Sequence, residues 1–364
     1  MRSSTSTSDW PHTLLGALAG SLALVLALEL LFRVLPVSTA TKTGYYFAPA
    51  LLSYPPHHQW RVATGWDLRN SQRLQSNNFG WLADGDFVAD EHAVALVGDS
   101  YVEAAMLDAA DRPAAQLRHM LGSKRAVYAL GGPGSSLLDY AERIRFVRER
   151  LDVRDYVVLM EAGDVRQALC GSGNVHSACL DRQTFAPRTE RRPEPSVIKR
   201  VLRESALAQY LSGQLKIDGQ RLLRDALSHP TPAQGGTVPA VAERAAAVGA
   251  VPPAPPFVDI VTNAFFERVA PFVDVGHLVI IVDGQRVAGE PYDNLLTAER
   301  NRFIALARHR GARVVDGEPL YAAHAATSRL SLQVGPYDAH LNRLGVKIVM
   351  SAAADELRRS SASP

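Results

Sequence analysis

Residues 13–37 form a long apolar run, broken by charge only at Glu29 and Arg33. At about 25 residues it exceeds the ~20 helical residues a bilayer core requires. Glu29 and Arg33 stand four apart, share one helix face and can pair. Both lie near the C-terminal end of the run, where an arginine can reach the interface. A cleaved signal has a shorter apolar core, ~7–15 residues, and a small-residue cleavage site. Only Val37-Ser38-Thr39-Ala40 approximates such a site here. The pattern predicts an uncleaved transmembrane anchor over 13–37, with a cleaved signal and a buried soluble helix as the alternatives.

Residues 38–92 carry scattered aromatics and prolines (Tyr45, Tyr46, Pro55, Pro56, Trp60, Trp66, Trp81) and read as an extended lead-in. Asn77-Asn78-Phe79-Gly80-Trp81 reads as a turn feeding a folded body. From residue 93 an alternation begins. Short apolar runs at 93–97 (AVALV), 126–130 (AVYAL) and 156–160 (YVVLM) have the character of strands buried on both faces. Between them, 113–121 and 135–150 show helical spacing of apolar and charged positions.

The alternation breaks over residues 165–257, which read as an insertion. It holds a Gly/Ser/Asn loop between two cysteines, a basic stretch at 188–192, a helical run from about 197 to 227, and a Pro/Gly-rich segment over 230–256. The alternation then resumes, with helices at 258–272, 298–310 and 343–358 and strands at 277–282 and 312–315. Strands alternating with helices predict an α/β fold, a three-layer α/β/α sandwich around a central parallel sheet. The chain thus divides into an anchor (13–37), a lead-in (38–92) and a large domain (93–359) carrying the insertion.

Composition narrows the class without choosing a function. The 364 residues are 47% hydrophobic and 21% charged, enough apolar material for a packed core and far from a disordered composition. The 39 basic and 37 acidic residues give a formal charge of +2, with no overall basic footprint for nucleic acid. Only five of the basic residues are Lys, a bias typical of GC-rich bacterial genomes. Two cysteines, Cys170 and Cys179, can supply neither a disulfide framework nor a cysteine-only zinc site. Nine apart in CGSGNVHSAC, they could clip that loop in an oxidising compartment, or be two unrelated thiols.

The candidate chemistry lies at two distant places. Gly98-Asp99-Ser100 follows the first predicted strand of the alternation. That places Ser100 at the carboxyl end of a parallel strand, where open α/β sheets build their sites. The backbone N–H groups of a following helix start can face a developing oxyanion there. A turn or helix cap uses the same three residues. Far downstream, Tyr337-Asp338-Ala339-His340-Leu341-Asn342 precedes the last helix. A nucleophilic serine needs a base, and the base an orienting group. His340 offers the imidazole, and Asp338 is close enough to hold its Nδ1–H.

Together these segments resemble the SGNH (GDSL-type) hydrolases, over roughly residues 77–358 and interrupted by the insertion. The resemblance implies a flavodoxin-like sandwich with Ser100 as nucleophile, His340 as base and Asp338 as its partner, with Gly98 and Asp99 supporting the first block. It implies oxyanion donors in the N–H groups of Ser100 and of a glycine in Gly131-Gly132-Pro133-Gly134, with Gly134 the best match. The Asp-x-His-Leu-Asn spacing and the Asn77–Trp81 lead-in are similar to membrane-anchored members tied to exopolysaccharide acetylation. One position departs. The third block is usually Gly-x-Asn-Asp, whereas this chain has Glu161-Ala162-Gly163-Asp164, so Gly163 stands where the donor Asn would be. Losing one such donor can cost about 10²–10³ in rate. Asn174 or Gln167 could replace it, binding energy from the true substrate could compensate, or the protein could be an impaired relative that binds without cleaving.

The implied activity is a serine esterase or O-acyltransferase, without cofactor or metal, acting on O-acyl groups of a cell-envelope or exported polysaccharide. Partners would be that polysaccharide and its assembly machinery, and the membrane through residues 13–37. The expected location is the bacterial inner membrane with the body in the periplasm. The resemblance and the cysteine pair favour that orientation, while Arg2 and Asp9 before the span and Arg33 and Lys42 at its end leave charge uninformative. The alternatives are a glycan-binding or scaffolding module, and a membrane-surface lipid esterase or thioesterase with the insertion as its lid. Weaker features are His12, His57, His58 and His176, without a completing metal-ligand spacing, and Arg188, Arg191 and Arg192, which could bind an anionic glycan or headgroup or form a solvated loop.

Overall fold

The computed structural model describes residues 10–40, 42–48, 51–172, 178–191, 194–215, 255–286, 294–335 and 338–361. They group into two units. One is drawn from residues 1–41, 60–71 and 195–229, the other from 42–59, 72–194 and 230–364.

In the first unit, α1 (Trp10–Val34) is a single helix in which an 18-residue segment within Thr13–Val34 has a mean hydropathy of 2.2 and no buried share. It is long and apolar enough to cross a bilayer. Glu29 and Arg33 pair at 2.8 Å. Two short helices, α6 (Val197–Glu204) and α7 (Ala206–Gln209), belong to the same unit. The single helical run expected over 197–227 is divided, because Ser205 takes an extended conformation and its side chain caps α7 through Ala208 N–H. Beyond residue 215 that run, like most of the Pro/Gly-rich segment, lies outside the described residues. Within the lead-in, β1 (Gln59–Thr64) and β2 (Arg69–Gln75) form a two-stranded sheet.

The second unit is built on five parallel strands: β3 (Val94–Gly98), β4 (Val127–Gly131), β5 (Asp155–Met160), β8 (Leu278–Val282) and β9 (Arg313–Asp316). Their order is β4-β3-β5-β8-β9, with Gly98 level with Gly131 on one side and Leu159 on the other. The chain reverses its direction of sheet growth at β3. Crevices at such switch points, at the carboxyl ends of the strands, are the binding positions of open α/β sheets.

Strand side chains alternate between two cores. Ala95 and Val97 pack with α4 (Leu137–Leu151), α8 (Phe257–Val269) and α9 (Asn294–His309). Val94 and Leu96 pack with α3 (Pro113–Met120), α10 (Gly317–Thr327) and α11 (Arg343–Ser361). The result is the expected α/β/α sandwich. Helix starts are specified locally: Ser136 and Asp139 form a reciprocal cap on α4, and Pro113 opens α3. The Asn77–Trp81 turn is fixed by the Asn77 side-chain Oδ1, which accepts from Phe79 and Trp81 N–H, and Trp81 is buried against Phe87 and Phe146.

Within the insertion, β6 (Ala178–Leu180) and β7 (Pro187–Thr189) pair antiparallel, and Cys170 and Cys179 are joined as a disulfide with Cα atoms 5.1 Å apart. Before the last helix, β10 (Gln333–Gly335) and β11 (Asp338–Leu341) make an antiparallel ladder.

Candidate active site

Ser100 opens a four-residue helix, α2 (Ser100–Glu103), directly after β3. Asp99 caps it, its Oδ1 accepting from Tyr101 N–H at 2.8 Å. Gly98 is required by packing, since a Cβ there would stand 2.4 Å from the Leu159 carbonyl oxygen. The turn therefore hugs the neighbouring strand and presents the Ser100 side chain beyond the sheet.

β11 carries Asp338 and His340 to the same end. The Ser100 hydroxyl lies 2.9 Å from His340 Nε2, although 240 positions separate them. His340 Nδ1 lies 2.6 Å from Asp338 Oδ1, which also accepts the His340 backbone N–H at 3.0 Å. A carboxylate at Nδ1 favours the tautomer with the proton there. That leaves the Nε2 lone pair for the Ser100 hydroxyl hydrogen. The imidazole is about three-tenths exposed and Asp338 about half that, so the pair is partly shielded yet open to a ligand.

A second set of side chains holds this arrangement, and the sequence reading did not include it. Arg286, just past β8, donates to the Ala339 carbonyl oxygen, to the Tyr101 hydroxyl at 2.7 Å and to Asp283. Asp283 also accepts from the Tyr321 hydroxyl at 2.6 Å. The Tyr101 ring lies against the His340 ring, centroids 4.8 Å apart. Burial and Asp283 push the Tyr101 phenol up, so it stays protonated. Arg286 thus fixes the residue between Asp338 and His340 and the ring packed on the imidazole. Its visible signal was position: Asp283-Gly284-Gln285-Arg286 follows a buried strand at the sheet's carboxyl edge.

The loop after β4 is fixed by Arg143. Buried in α4, it donates to the Gly98 carbonyl at 2.6 Å, to Leu130 at 3.2 Å and to Ser135 Oγ at 2.6 Å. Gly131 ends the strand, and Gly132 N–H donates to Gly98 at 3.2 Å. Gly134 follows with φ +73°, a conformation that favours glycine.

Gly163 caps α5 (Asp164–Gln167). A Cβ on Gly163 would stand 3.1 Å from Gln167 Nε2 and 3.3 Å from a Glu161 carboxylate oxygen. The Gln167 amide therefore occupies the space a side chain at 163 would enter. Asn174 lies outside the described residues. Asp164 is fully buried and accepts from the Tyr140 hydroxyl at 2.8 Å and Glu161 N–H at 2.9 Å. Burial, then the neighbouring Asp99 and Glu161, push its carboxyl well above the usual range. It acts as a neutral strut under the strand end. Burial likewise raises Asp99 and Glu161.

The remaining sequence candidates stand apart from this cluster. His57 Nδ1 is 3.8 Å from Asp86. Arg188 pairs with Asp181 at 2.8 Å within the β6–β7 hairpin, and Arg191 lies 5.9 Å over the Tyr45 ring. The His12 side chain, His176, Arg192 and Tyr337 lie outside the described residues. Among the described residues, Cys170, Cys179 and Glu190 form the one group with metal-ligand proximity, and both sulfurs are committed to the disulfide.

No protein-family model and no curated protein matches the chain. It is similar to several solved structures at low identity. A lipolytic G-D-S-L family member from Veillonella parvula is 10% identical over 73% of this chain and 97% of that one, with a TM-score of 0.38. A catalytic mutant of an acetylxylan esterase from Geobacillus stearothermophilus is 9% identical over 74% and 95%, with a TM-score of 0.39. A carbohydrate acetylesterase family member from Sinorhizobium meliloti is 12% identical over 74% and 98%, with a TM-score of 0.32. The chemistry of the site rests on its own geometry: a hydroxyl, an imidazole and a carboxylate in hydrogen-bonded series at the switch point of a parallel sheet.

Proposed function

We propose that the chain is a membrane-anchored SGNH-type serine esterase or O-acyltransferase. The observation that carries this reading is the continuous series from Asp338 through His340 to the Ser100 hydroxyl. Ser100 Oγ attacks the acyl carbonyl while its proton passes to His340 Nε2. Asp338 stabilises the imidazolium that forms. The tetrahedral oxyanion is met by the N–H groups of Ser100 and Gly134 and by the Gln167 amide, which takes the place of the missing Asn. Collapse expels the alcohol, which takes the proton from His340, and leaves an acyl group on Ser100. Water then regenerates the enzyme, or a sugar hydroxyl accepts the acyl group.

The substrate class follows from combining this chemistry with the anchor. An acetyl-sized O-acyl group on an envelope or exported polysaccharide is the reading preferred, with the body on the periplasmic side. The disulfide supports that side, because such bonds persist in oxidising compartments. A binding module without catalysis is the second reading, and Gly163 is the observation that favours it.

The test is hydrolysis of p-nitrophenyl acetate by the detergent-solubilised full chain. Ser100→Ala and His340→Ala should each lower kcat by about 10⁴-fold or more. Equal rates in all three proteins would remove the esterase mechanism.

A further inference from the structure

α6 is an amphipathic helix with its apolar face uncovered. Val197, Ile198, Val201 and Leu202 are each more than half exposed, with Ile198 the most at 74%. At 100° per residue they occupy an arc of about 140°, and Lys199, Arg200 and Arg203 occupy the opposite one. An exposed run of four large aliphatic side chains over one helical turn and a half marks an interaction surface rather than a solvated face.

The first unit shows what lies beside it. Glu29, in the last turns of α1, accepts from Ser205 Oγ at 2.8 Å, Ala206 N–H at 3.1 Å and Leu207 N–H at 3.0 Å. The carboxylate therefore caps α7 at the point where α6 ends. Phe32 stacks on Tyr210 at 4.2 Å, which fixes the same junction a second time. Glu29 stands five residues before the end of α1 at Val34. That is about 7.5 Å along the axis, close to the thickness of one headgroup layer, about 5–7 Å. With Val34 taken as the point where the span reaches water, the end of α6 would lie at the base of that headgroup layer.

We infer that α6 lies in the membrane interface, its Val197/Ile198/Val201/Leu202 face in the acyl–headgroup boundary and its basic face toward anionic headgroups. An apolar face opposed by Lys and Arg is the composition of an interfacial helix. Eight residues alone would bind weakly, but α6 is held beside a span, so insertion is intramolecular and its effective concentration is high. Charge complementarity selects an anionic bilayer surface as occupant. This inference rests on the reading of α1 as a membrane span, and it can fail while that reading stands.

The test uses the full chain reconstituted in phosphatidylglycerol-containing nanodiscs, with an environment-sensitive fluorophore on Ile198→Cys, Arg200→Cys or Leu22→Cys. The native cysteines are paired and do not compete for the label. The Ile198→Cys label should be blue-shifted, severalfold less accessible to aqueous iodide than the Arg200→Cys label, and quenched by lipid brominated high on its chains. Its protection should weaken when phosphatidylcholine replaces phosphatidylglycerol. Equal iodide access at Ile198→Cys and Arg200→Cys, with Leu22→Cys still quenched by lipid brominated low on its chains, overturns the inference and leaves the span intact. Access at Leu22→Cys as well removes the span reading and this inference together. Protection of Ile198→Cys without bromolipid quenching means that protein covers the face, and also overturns it. Equal protection in both lipids overturns the role given to the basic face.

Discussion

Glu103 shows how one buried carboxyl can set the pH response of the domain. It is buried at the end of α2, which Ser100 opens, and accepts from the Tyr54 hydroxyl at 3.1 Å. Burial, only partly offset by Tyr54 and by Arg112 and Arg143, pushes its carboxyl from 4.5 up to about 7. Between those values the native state binds the proton more tightly than the unfolded chain, so stability falls as pH rises through that window. Below it both states are protonated and nothing is lost. The full effect is on the order of 3 kcal/mol. Glu103→Gln keeps an acceptor for Tyr54 and should flatten the fall in Tm between pH 5 and pH 8; an unchanged slope would clear Glu103 of the role. A second residue-scale expectation concerns the donor at Gly163. Gln167→Ala should lower kcat by about 10²-fold with KM little changed. Gly163→Asn in the Gln167→Ala background, where the Gln167 amide is gone and the Glu161 side chain alone must give way, should recover part of it. Recovery is the discriminating outcome, since a merely structural loss would deepen on adding a second change.

At the scale of elements, the β10–β11 hairpin is only as useful as its fixation. Arg286 ties it to the sheet through Ala339, and to Tyr101 on α2. Arg286→Met should lower kcat by about 10-fold or more by releasing His340, and should destabilise by about 3–5 kcal/mol by stranding the Asp283 charge. Asp283→Asn with Arg286→Met should restore much of the Tm but not the kcat. Parallel recovery of both would reduce the network to a fold-stabilising role. The elements also show what sequence can reveal. Strands β3, β4, β5 and β8 were legible because a strand buried on both faces must be continuously apolar. β11 was not, because it is only four residues long and its exposed position is the apolar Ala339 while Asp338 and His340 are half-buried, the reverse of a half-buried strand. α10 was missed because Gly317 and Pro319 open it like a loop, while Asp316 caps it through Glu318 N–H at 3.1 Å. The break between α6 and α7 depends on Glu29, 176 positions before Ser205, which no local pattern contains.

At the scale of the molecule, the chain combines an apolar N-terminal helix with an α/β/α domain whose switch point holds a serine, a histidine and an aspartate in series. The pair of motifs was legible because chemistry restricts residue types; their convergence was carried by the family resemblance alone, since no local pattern shows that the sheet brings residues 100 and 340 to one edge. Arg286 and Tyr101 stayed hidden for the same reason. The most direct measurement is covalent labelling of the full chain in membranes by a fluorophosphonate, followed by peptide mapping. The adduct should form on Ser100 alone and should be lost in His340→Ala, whose serine has no base. Absence of any adduct, a label on another residue, or equal labelling in His340→Ala would contradict a nucleophile activated by that imidazole.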